Sequence, residues 1–267
     1  MANYSDRIKL IDYGIHTYLE NLLKRNYQIP TFQRDVVWDE QNVKKLWDSI
    51  YKFYPMGSIL IWKTDIKLQN HRSIGGHIIQ NEDMSEYQYI LDGQQRTTAL
   101  LTSLYGGKIE GKDDFDPTIY VDLTIQDEND TDDESYKQRF LFWYEIDDRN
   151  GTYLRNKFRM EKYKKGLIVK LQDIKHNYEE VEEKLIELGL KYKDGERSRL
   201  RKIRSVLDNY RISFIELKGI QVAQVCQIFE RINQEGKPLD IFDIVVAKTF
   251  RPESKEAKGF YLRVIIR

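Results

Sequence analysis

The sequence predicts an α+β fold, because helical and strand-like patterns both occur along one globular chain. Its 267 residues are 40% hydrophobic and 32% charged, a composition typical of one large or two small domains with a buried core. Apolar residues recur at helical spacing in several segments, and short runs of β-branched and aromatic residues have the length of strands. We therefore expect helices and strands to share a core.

The first half of the chain begins with two amphipathic helices. The first contains Ile15, Tyr18 and Leu22, and the second follows a candidate N-cap at Asp39 and ends at Pro55. Strands are predicted at residues 58–62 and 87–91, and the second leads through 92–96 into a helix that ends at Gly106-Gly107. Further strand candidates are residues 119–123 and 140–144.

The second half of the chain contains a candidate helical hairpin. Apolar periodicity over residues 176–210 is divided at 193–195. A strand is predicted at 214–217, followed by a helix that includes Cys226 in its apolar stripe, and Asp240 could cap a last helix through Lys248. We divide the chain into a core at residues 1–124, an insertion at 125–210 and a segment at 211–267 that completes the core.

Charge is distributed unevenly, although 43 basic and 43 acidic side chains balance. Residues 113–134 contain ten acidic and no basic side chains, and we expect a solvated loop there because like charges repel. Residues 155–170 contain seven basic side chains and one acidic one, with Phe158 and Tyr163 interleaved. Such a mixture could bind a phosphate backbone and stack a base. The candidate DNA-binding residues are Arg155, Lys157, Arg159, Lys162, Lys164 and Lys165.

Several classes of protein are disfavoured. No stretch approaches the length of an apolar membrane helix, and charges at Asp6, Arg7 and Lys9 do not fit a signal peptide. We therefore expect a cytoplasmic protein with no membrane partner. One cysteine and four histidines make a disulfide impossible within the chain and a structural zinc site weakly supported.

The strongest candidate site is the segment from Asp92 to Thr98, at a predicted strand end. Gly93 would let the backbone approach a ligand, and the first turn of the next helix attracts phosphate. Arg96 could neutralise phosphate, and Asp92 could hold Mg²⁺ or another divalent cation between phosphates. Gln94 and Gln95 could orient a water, while Thr97 and Thr98 could donate hydroxyls. A capping box formed by Asp92 and Gln95 is the structural alternative.

A family resemblance extends this interpretation over about residues 28–250. The sequence resembles the N-terminal domain of GmrSD-type restriction proteins, and the segments that carry the resemblance are Gln28 to Arg34, Trp38, the helix at 46–54, Pro55 to Ile59, Tyr89 to Arg96 and Ile228 to Leu239. Residues 108–210 match poorly. Gly93 to Arg96 is similar to the phosphate motif of ParB/sulfiredoxin-like proteins, which implies that kind of nucleotide-binding core with helical additions.

The resemblance implies a module of a phage defence system that acts on modified DNA. It implies that a nucleoside triphosphate binds with Mg²⁺ at Asp92 to Arg96, with Gln33, Arg34 and Asn233 lining the site. Family members usually continue into a His-Asn-His-type nuclease domain, and no such pattern occurs in this sequence. The resemblance therefore implies a fragment, a shortened member or one subunit of a split system, with a nuclease domain or subunit as a partner.

Two functions therefore remain open from the sequence. In the first, Asp92, Gln94, Gln95 and Arg96 bind the triphosphate and promote its hydrolysis. In the second, the chain is a non-catalytic DNA-binding or protein-interaction module, the Asp92 turn is structural, and the basic segment is the working surface.

Overall fold

Two β-sheets with helices around them make up the described part of the chain. The computed structural model describes residues 5–30, 38–68, 73–79, 84–109, 115–127, 134–149 and 154–232. The strands are β1 (Ile8–Gly14), β2 (Ser58–Thr64), β3 (Tyr87–Asp92), β4 (Tyr120–Asp122), β5 (Phe140–Leu141), β6 (Ile168–Lys170) and β7 (Arg211–Lys218). The α-helices are α1 (Ile15–Leu23), α2 (Glu40–Tyr51), α3 (Gln94–Tyr105), α4 (Tyr136–Arg139), α5 (Leu154–Lys164), α6 (Leu171–His176), α7 (Tyr178–Glu187), α8 (Gly195–Asn209) and α9 (Val222–Ile232).

The larger sheet has four strands in the order β1-β7-β2-β3. The pairs β1–β7 and β2–β3 are antiparallel, whereas β2 and β7 are parallel. Gln28 adds a parallel bridge to Tyr89 beside β3. The smaller sheet has the order β5-β4-β6, and both of its pairs are antiparallel. Because β7 lies between β1 and β2, a strand from late in the chain is needed to complete the larger sheet.

Side chains of the larger sheet alternate between two apolar layers. Ile61, Ile90 and Phe214 pack in the main core with helices that include α1, α2, α3 and α8. The opposite layer contains Trp62 and Tyr89, together with Leu60, Tyr87, Leu91, Leu217 and, from α9, Val222 and Val225. This alternation is the period of two expected of strands buried on both faces.

The structure confirms the mixed α+β prediction and several elements of it. Asp39 caps α2 by accepting a hydrogen bond from the Asn42 amide at 2.8 Å, and α7 and α8 form the predicted helical pair. The strand predicted at 140–144 is wrong beyond Leu141, because Trp143–Glu145 is a 3-10 helix. The predicted last helix from Asp240 lies outside the described residues. Within the described ranges, every helix is too short or too polar to span a lipid bilayer.

Candidate functional site

The turn between β3 and α3 depends on Gly93. This residue has a φ of +94° and is the N-cap of α3, in the left-handed region that favours glycine. A Cβ at this position would also lie 2.9 Å from Cγ1 of Ile59. The N-cap Gly93 makes no side-chain hydrogen bond, so the alternative of a capping box formed by Asp92 and Gln95 is not observed among the described residues. The first turn of α3 therefore begins directly behind the strand end.

Arg96 fixes the conformation of this turn. Its Nη2 donates to Oδ2 of Asp92 at 2.9 Å, and its Nη1 donates to the carbonyls of Ser58 at 2.8 Å and Met56 at 3.2 Å. The guanidinium is thus held by one carboxylate and by the backbone before β2. In this structure Arg96 orients Asp92. Arg96 would have to break one or more of these hydrogen bonds before its guanidinium could contact a phosphate.

Asp92 and Gln94 keep polar atoms available at the same turn. The side chain of Asp92 is 31% exposed, and within the described part of the chain only Arg96 contacts its carboxylate. Gln94 is only 6% exposed, and none of the described residues provides a hydrogen-bond partner for its carboxamide. A carboxylate and an amide therefore remain for a ligand beside the N-terminus of α3.

Gln95 has a different role from Gln94. Its Oε1 accepts a hydrogen bond from the backbone amide of Trp38 at 3.1 Å. On the other side of residues 31–37, Gln28 is bonded to the backbone of β3. The described residues on either side of 31–37 thus lie next to β3 or the β3–α3 turn. Gln33 and Arg34, as well as Asn233, lie outside the described residues, so their predicted contacts with a ligand remain predictions.

Thr97 and Thr98 are buried in the core. The hydroxyl of Thr97 donates to the Gly93 carbonyl at 2.9 Å and lies 2.7 Å from the hydroxyl of Tyr18. Burial raises the pKa of Tyr18 far above its ordinary value, so this phenol stays protonated. Thr98 is also fully buried. The hydrogen bonds of Thr97 support a packing role, whereas Oγ1 of Thr98 is buried without a partner among the described residues, so the phosphate contact expected of Thr98 stays a prediction.

The donor set around the turn fits a metal only together with a ligand. The described residues contain no group of three or more histidine, cysteine, aspartate or glutamate side chains that could hold an ion. Asp92 is a single carboxylate with one oxygen already bonded to Arg96. Mg²⁺ is commonly held by one or two carboxylates plus substrate phosphates. Asp92 is therefore compatible with Mg²⁺ that arrives on a nucleotide.

The basic segment forms α5, and its six candidate residues fall into two groups. Arg159 is buried and donates to the Glu145 carbonyl at 3.3 Å, while Lys162 donates to Oδ2 of Asp122 at 2.9 Å. Arg159 thus bonds within the predicted insertion, whereas Lys162 joins the insertion to Asp122 at the end of β4. The exposed group comprises Arg155, Lys157, Lys164 and Lys165. Phe158 on this helix is 62% exposed, so the exposed surface of α5, together with Lys165 just beyond its end, contains cations and an aromatic ring.

Sequence reasoning missed three contributors to the turn. Pro55 to Gly57 indicated a helix end and part of the family resemblance, yet the carbonyl oxygens of Met56 and Ser58 also accept hydrogen bonds from Arg96. Tyr18 indicated only a core position, yet its hydroxyl meets Thr97. Gln28 belonged to a segment that carries the family resemblance and had no predicted role, yet its backbone bonds β3. A glycine at position 57 suggests a positive φ, which is +86° in the structure. Nothing in the sequence suggests that the neighbouring carbonyl groups bond Arg96.

Taken together, the chain is an α+β domain that carries a strand–glycine–helix turn with an arginine-oriented carboxylate. The family model described as "GmrSD restriction endonuclease, N-terminal domain" matches residues 15–250, and the chain belongs to this family. An uncharacterized protein of Methanocaldococcus jannaschii is 25% identical over 260 residues, covering 87% of this chain and 41% of the relative. The chain thus spans about two fifths of the length of the curated relative that it matches.

The family match confirms the resemblance to the N-terminal domain of GmrSD-type restriction proteins. The ParB/sulfiredoxin-like relationship, the nucleotide and the nuclease partner stay predictions.

Proposed function

We propose that this chain binds, and hydrolyses, a nucleoside triphosphate with Mg²⁺ as a module of a modification-dependent DNA restriction system. The observation that carries the proposal is the division of roles at the β3–α3 turn. Arg96 and Gln95 are bonded to the protein, whereas Asp92 and Gln94 keep polar atoms for a ligand. Family membership supports the restriction context.

Each residue at the turn would contribute a distinct interaction. The N-terminus of α3 carries a positive partial charge that attracts phosphate oxygens. Gln94 would bond a phosphate oxygen or orient the attacking water, and Asp92 would contact the cation that accompanies the nucleotide. Bound Mg²⁺ supplies charge neutralisation on the phosphates. Arg96 would act as a positioning residue, since its contacts hold the Asp92 carboxylate in place.

A binding titration tests the nucleotide site. Labelled nucleoside triphosphates and inorganic tripolyphosphate are titrated, with Mg²⁺, against the wild type, Asp92→Asn and Gln94→Ala. We expect each variant to lose about tenfold in affinity, the equivalent of one charge-assisted or otherwise unreplaced hydrogen bond. Asp208→Asn is the matched control, because it also removes the carboxylate of an Asp–Arg pair spaced four residues apart. Equal affinities in all proteins, or no binding by the wild type, would contradict the proposal.

Phosphate release tests hydrolysis separately from binding. Release is measured for each of the four nucleoside triphosphates, with and without modified DNA. We expect the wild type to release phosphate and Gln94→Ala to release it more slowly even at saturating nucleotide, because a poorly oriented nucleophile lowers kcat. Binding without release would restrict the proposal to a nucleotide-binding module.

DNA binding by α5 is the second candidate function. The observation that favours it is the exposure of Phe158 at 62% among four exposed cations. Exposed cations can neutralise phosphates, and an exposed ring can stack on an unpaired base. Glu161 is the exposed acidic residue of the same helix, so the attraction is weaker than the number of cations suggests.

Salt dependence distinguishes this candidate from the first. A triple charge reversal at Lys157, Lys164 and Lys165 is compared with reversal of Lys191 and Lys193 between α7 and α8. If α5 binds DNA, the affinity of the wild type falls steeply with salt, and the triple variant shows a shallower slope while the control does not. DNA binding of this kind without nucleotide binding would favour a non-catalytic module. No DNA binding by the wild type would exclude the second candidate.

A further inference from the structure

Gln28 lies beside the strand that leads to the candidate site. Its backbone amide donates to the Gln88 carbonyl at 2.9 Å, and its carbonyl accepts from the Ile90 amide at 2.9 Å. Residues bridged directly across two strands point to the same face of the sheet, so Gln28 shares the face of Tyr89. Tyr27 and Ile29 pack in the core on the opposite face, as the alternation of an extended chain requires.

The carboxamide of Gln28 is buried without a partner. The residue is 1% exposed, and neither Nε2 nor Oε1 has a hydrogen bond to any described residue. The polar group nearest in register, the Tyr89 hydroxyl, already accepts from the Leu68 amide at 2.8 Å and donates to the Ile66 carbonyl at 3.3 Å. Buried polar side chains are nearly always bonded, because an unpartnered one is costly. The amide is therefore available to a hydrogen-bond partner from outside the described residues.

We infer that Gln28 hydrogen-bonds the base of the nucleotide whose phosphates the Asp92 turn is proposed to hold. This inference rests on the proposed function. Tyr89 precedes Asp92 by three residues, which is about 10 Å along an extended strand. This length is similar to the distance between the base and the terminal phosphates of a nucleoside triphosphate. A carboxamide offers an acceptor beside two donors, the pattern that matches the polar edge of a base. The rings of Tyr87 and Tyr89, with centroids 5.9 Å apart, are buried in the apolar layer on the same face of the sheet as Gln28.

Stability of the ligand-free protein tests the unpartnered state. Gln28→Met replaces the amide with an apolar side chain of similar shape, and we expect it to raise the Tm by about 2–4 °C. Gln88→Met, on the neighbouring strand, is the matched control and should leave the Tm nearly unchanged. A fall in Tm for Gln28→Met that Gln88→Met does not share would overturn the inference, because a water or an internal group would then satisfy the amide.

Base selectivity tests the assignment itself. The four nucleoside triphosphates and inorganic tripolyphosphate are titrated against the wild type, Gln28→Met, Gln28→Glu and Gln88→Met. We expect the wild type to prefer at least one nucleotide over tripolyphosphate, and Gln28→Met to lose about tenfold for that nucleotide while keeping its affinity for tripolyphosphate. Gln28→Glu should change the order of preference, because a carboxylate removes the amide donors.

The outcomes separate this inference from the proposed function. Unchanged nucleotide preferences in both Gln28 variants, or a wild type that binds tripolyphosphate as tightly as every nucleotide, would overturn the role of Gln28 and leave the phosphate site standing. Failure of the wild type to bind any of the five ligands would overturn the proposed function, and the inference with it.

Discussion

The backbone at Gly57 passes so close to Arg96 that a Cβ at position 57 would lie 2.7 Å from Nη1 of the guanidinium. This close approach explains how Arg96 reaches the carbonyl groups on both sides of Gly57 while also bonding Asp92. A side chain at position 57 would displace the guanidinium and release Asp92. The geometry of the candidate site thus depends on a glycine that is 35 residues away from Asp92 in the sequence.

Substitution of Gly57 should therefore lower the free energy of unfolding by more than its backbone conformation alone predicts. Gly57 and Gly189 have φ values of +86° and +82°, but a Cβ at Gly189 would meet nothing within 4 Å. We expect Gly189→Ala to lower the free energy of unfolding by about 1 kcal/mol, the cost of a left-handed residue. Gly57→Ala should cost about 1–2 kcal/mol more, because it also breaks hydrogen bonds of Arg96. Urea denaturation measures both.

The same comparison in an Arg96→Ala background identifies the cause of the excess. Without the guanidinium, Gly57→Ala should cost about as much as Gly189→Ala, and a double-mutant cycle gives the coupling energy. An excess that persists in this background would show that position 57 is constrained by something other than Arg96.

The buried contact between Tyr18 and Thr97 predicts a loss of stability without a loss of ligand affinity. Thr97→Val removes the hydroxyl that lies 2.7 Å from that of Tyr18. We expect it to lower the free energy of unfolding by about 1–2 kcal/mol, because the Tyr18 hydroxyl is left buried without that partner. Tyr18→Phe combined with Thr97→Val should cost less than the two single changes added together.

Nucleotide titration completes this test. Because the Thr97 side chain is buried, the affinity of Thr97→Val for a nucleoside triphosphate should stay within about twofold of the wild type, well below the tenfold change that one lost hydrogen bond produces. A tenfold loss with unchanged stability would instead restore the sequence prediction that Thr97 contacts phosphate.

Substitution of the buried or paired basic residues of α5 should lower stability much more than substitution of its exposed basic residues. Lys162→Ala leaves the buried carboxylate of Asp122 without its cationic partner, and we expect a loss of about 2 kcal/mol in unfolding free energy. Lys164 is exposed, and Lys164→Ala should change stability by less than about 0.5 kcal/mol. Thermal and urea denaturation of both variants provide the comparison. Equal losses would mean that the Lys162–Asp122 pair contributes little.

Local patterns made the β3–α3 turn predictable. A strand-like run, a glycine and an amphipathic helix follow one another between Tyr87 and Tyr105, and each signal depends only on neighbouring residues. The cap at Asp39 was predictable for the same reason. The sequence also placed Asp92 and Gln94 in the site, although it could not show which polar atoms the folded chain would leave available.

Elements that depend on distant partners were not predictable. β1 pairs with β7 across about 200 residues, and Leu10 on this strand is highly exposed, so apolar periodicity gave no signal. Likewise, the run from Arg155 to Lys165 looked uniform, because nothing local indicates that Glu145 and Asp122 remove Arg159 and Lys162 from the surface. Tertiary pairing of this kind decides which charges of a basic segment can meet a ligand.

Asp127, an exposed residue of the acidic run, predicts a pH dependence of stability. Asp127 accepts hydrogen bonds from Tyr51 at 2.7 Å, from Arg139 at 2.9 Å and from Lys202 at 2.9 Å, so at this position the run is paired with cations. Burial alone would raise the pKa of Asp127, but hydrogen bonds from Lys202 and Tyr51 outweigh it and hold the pKa below the ordinary value of 3.8.

A carboxyl with a lower pKa in the folded chain binds fewer protons there than in the unfolded chain. Its contribution to stability is therefore fully present above pH 3.8, the ordinary value, and is lost as the pH falls through the folded pKa. At pH 7 we expect Asp127→Asn to lower the free energy of unfolding by about 1 kcal/mol, a modest value because the side chain is partly exposed to solvent. Urea titrations of both proteins over a pH series should show the difference shrinking in acid. A difference that stays constant down to the lowest pH at which the protein folds would mean that the charge of Asp127 does not stabilise this cluster.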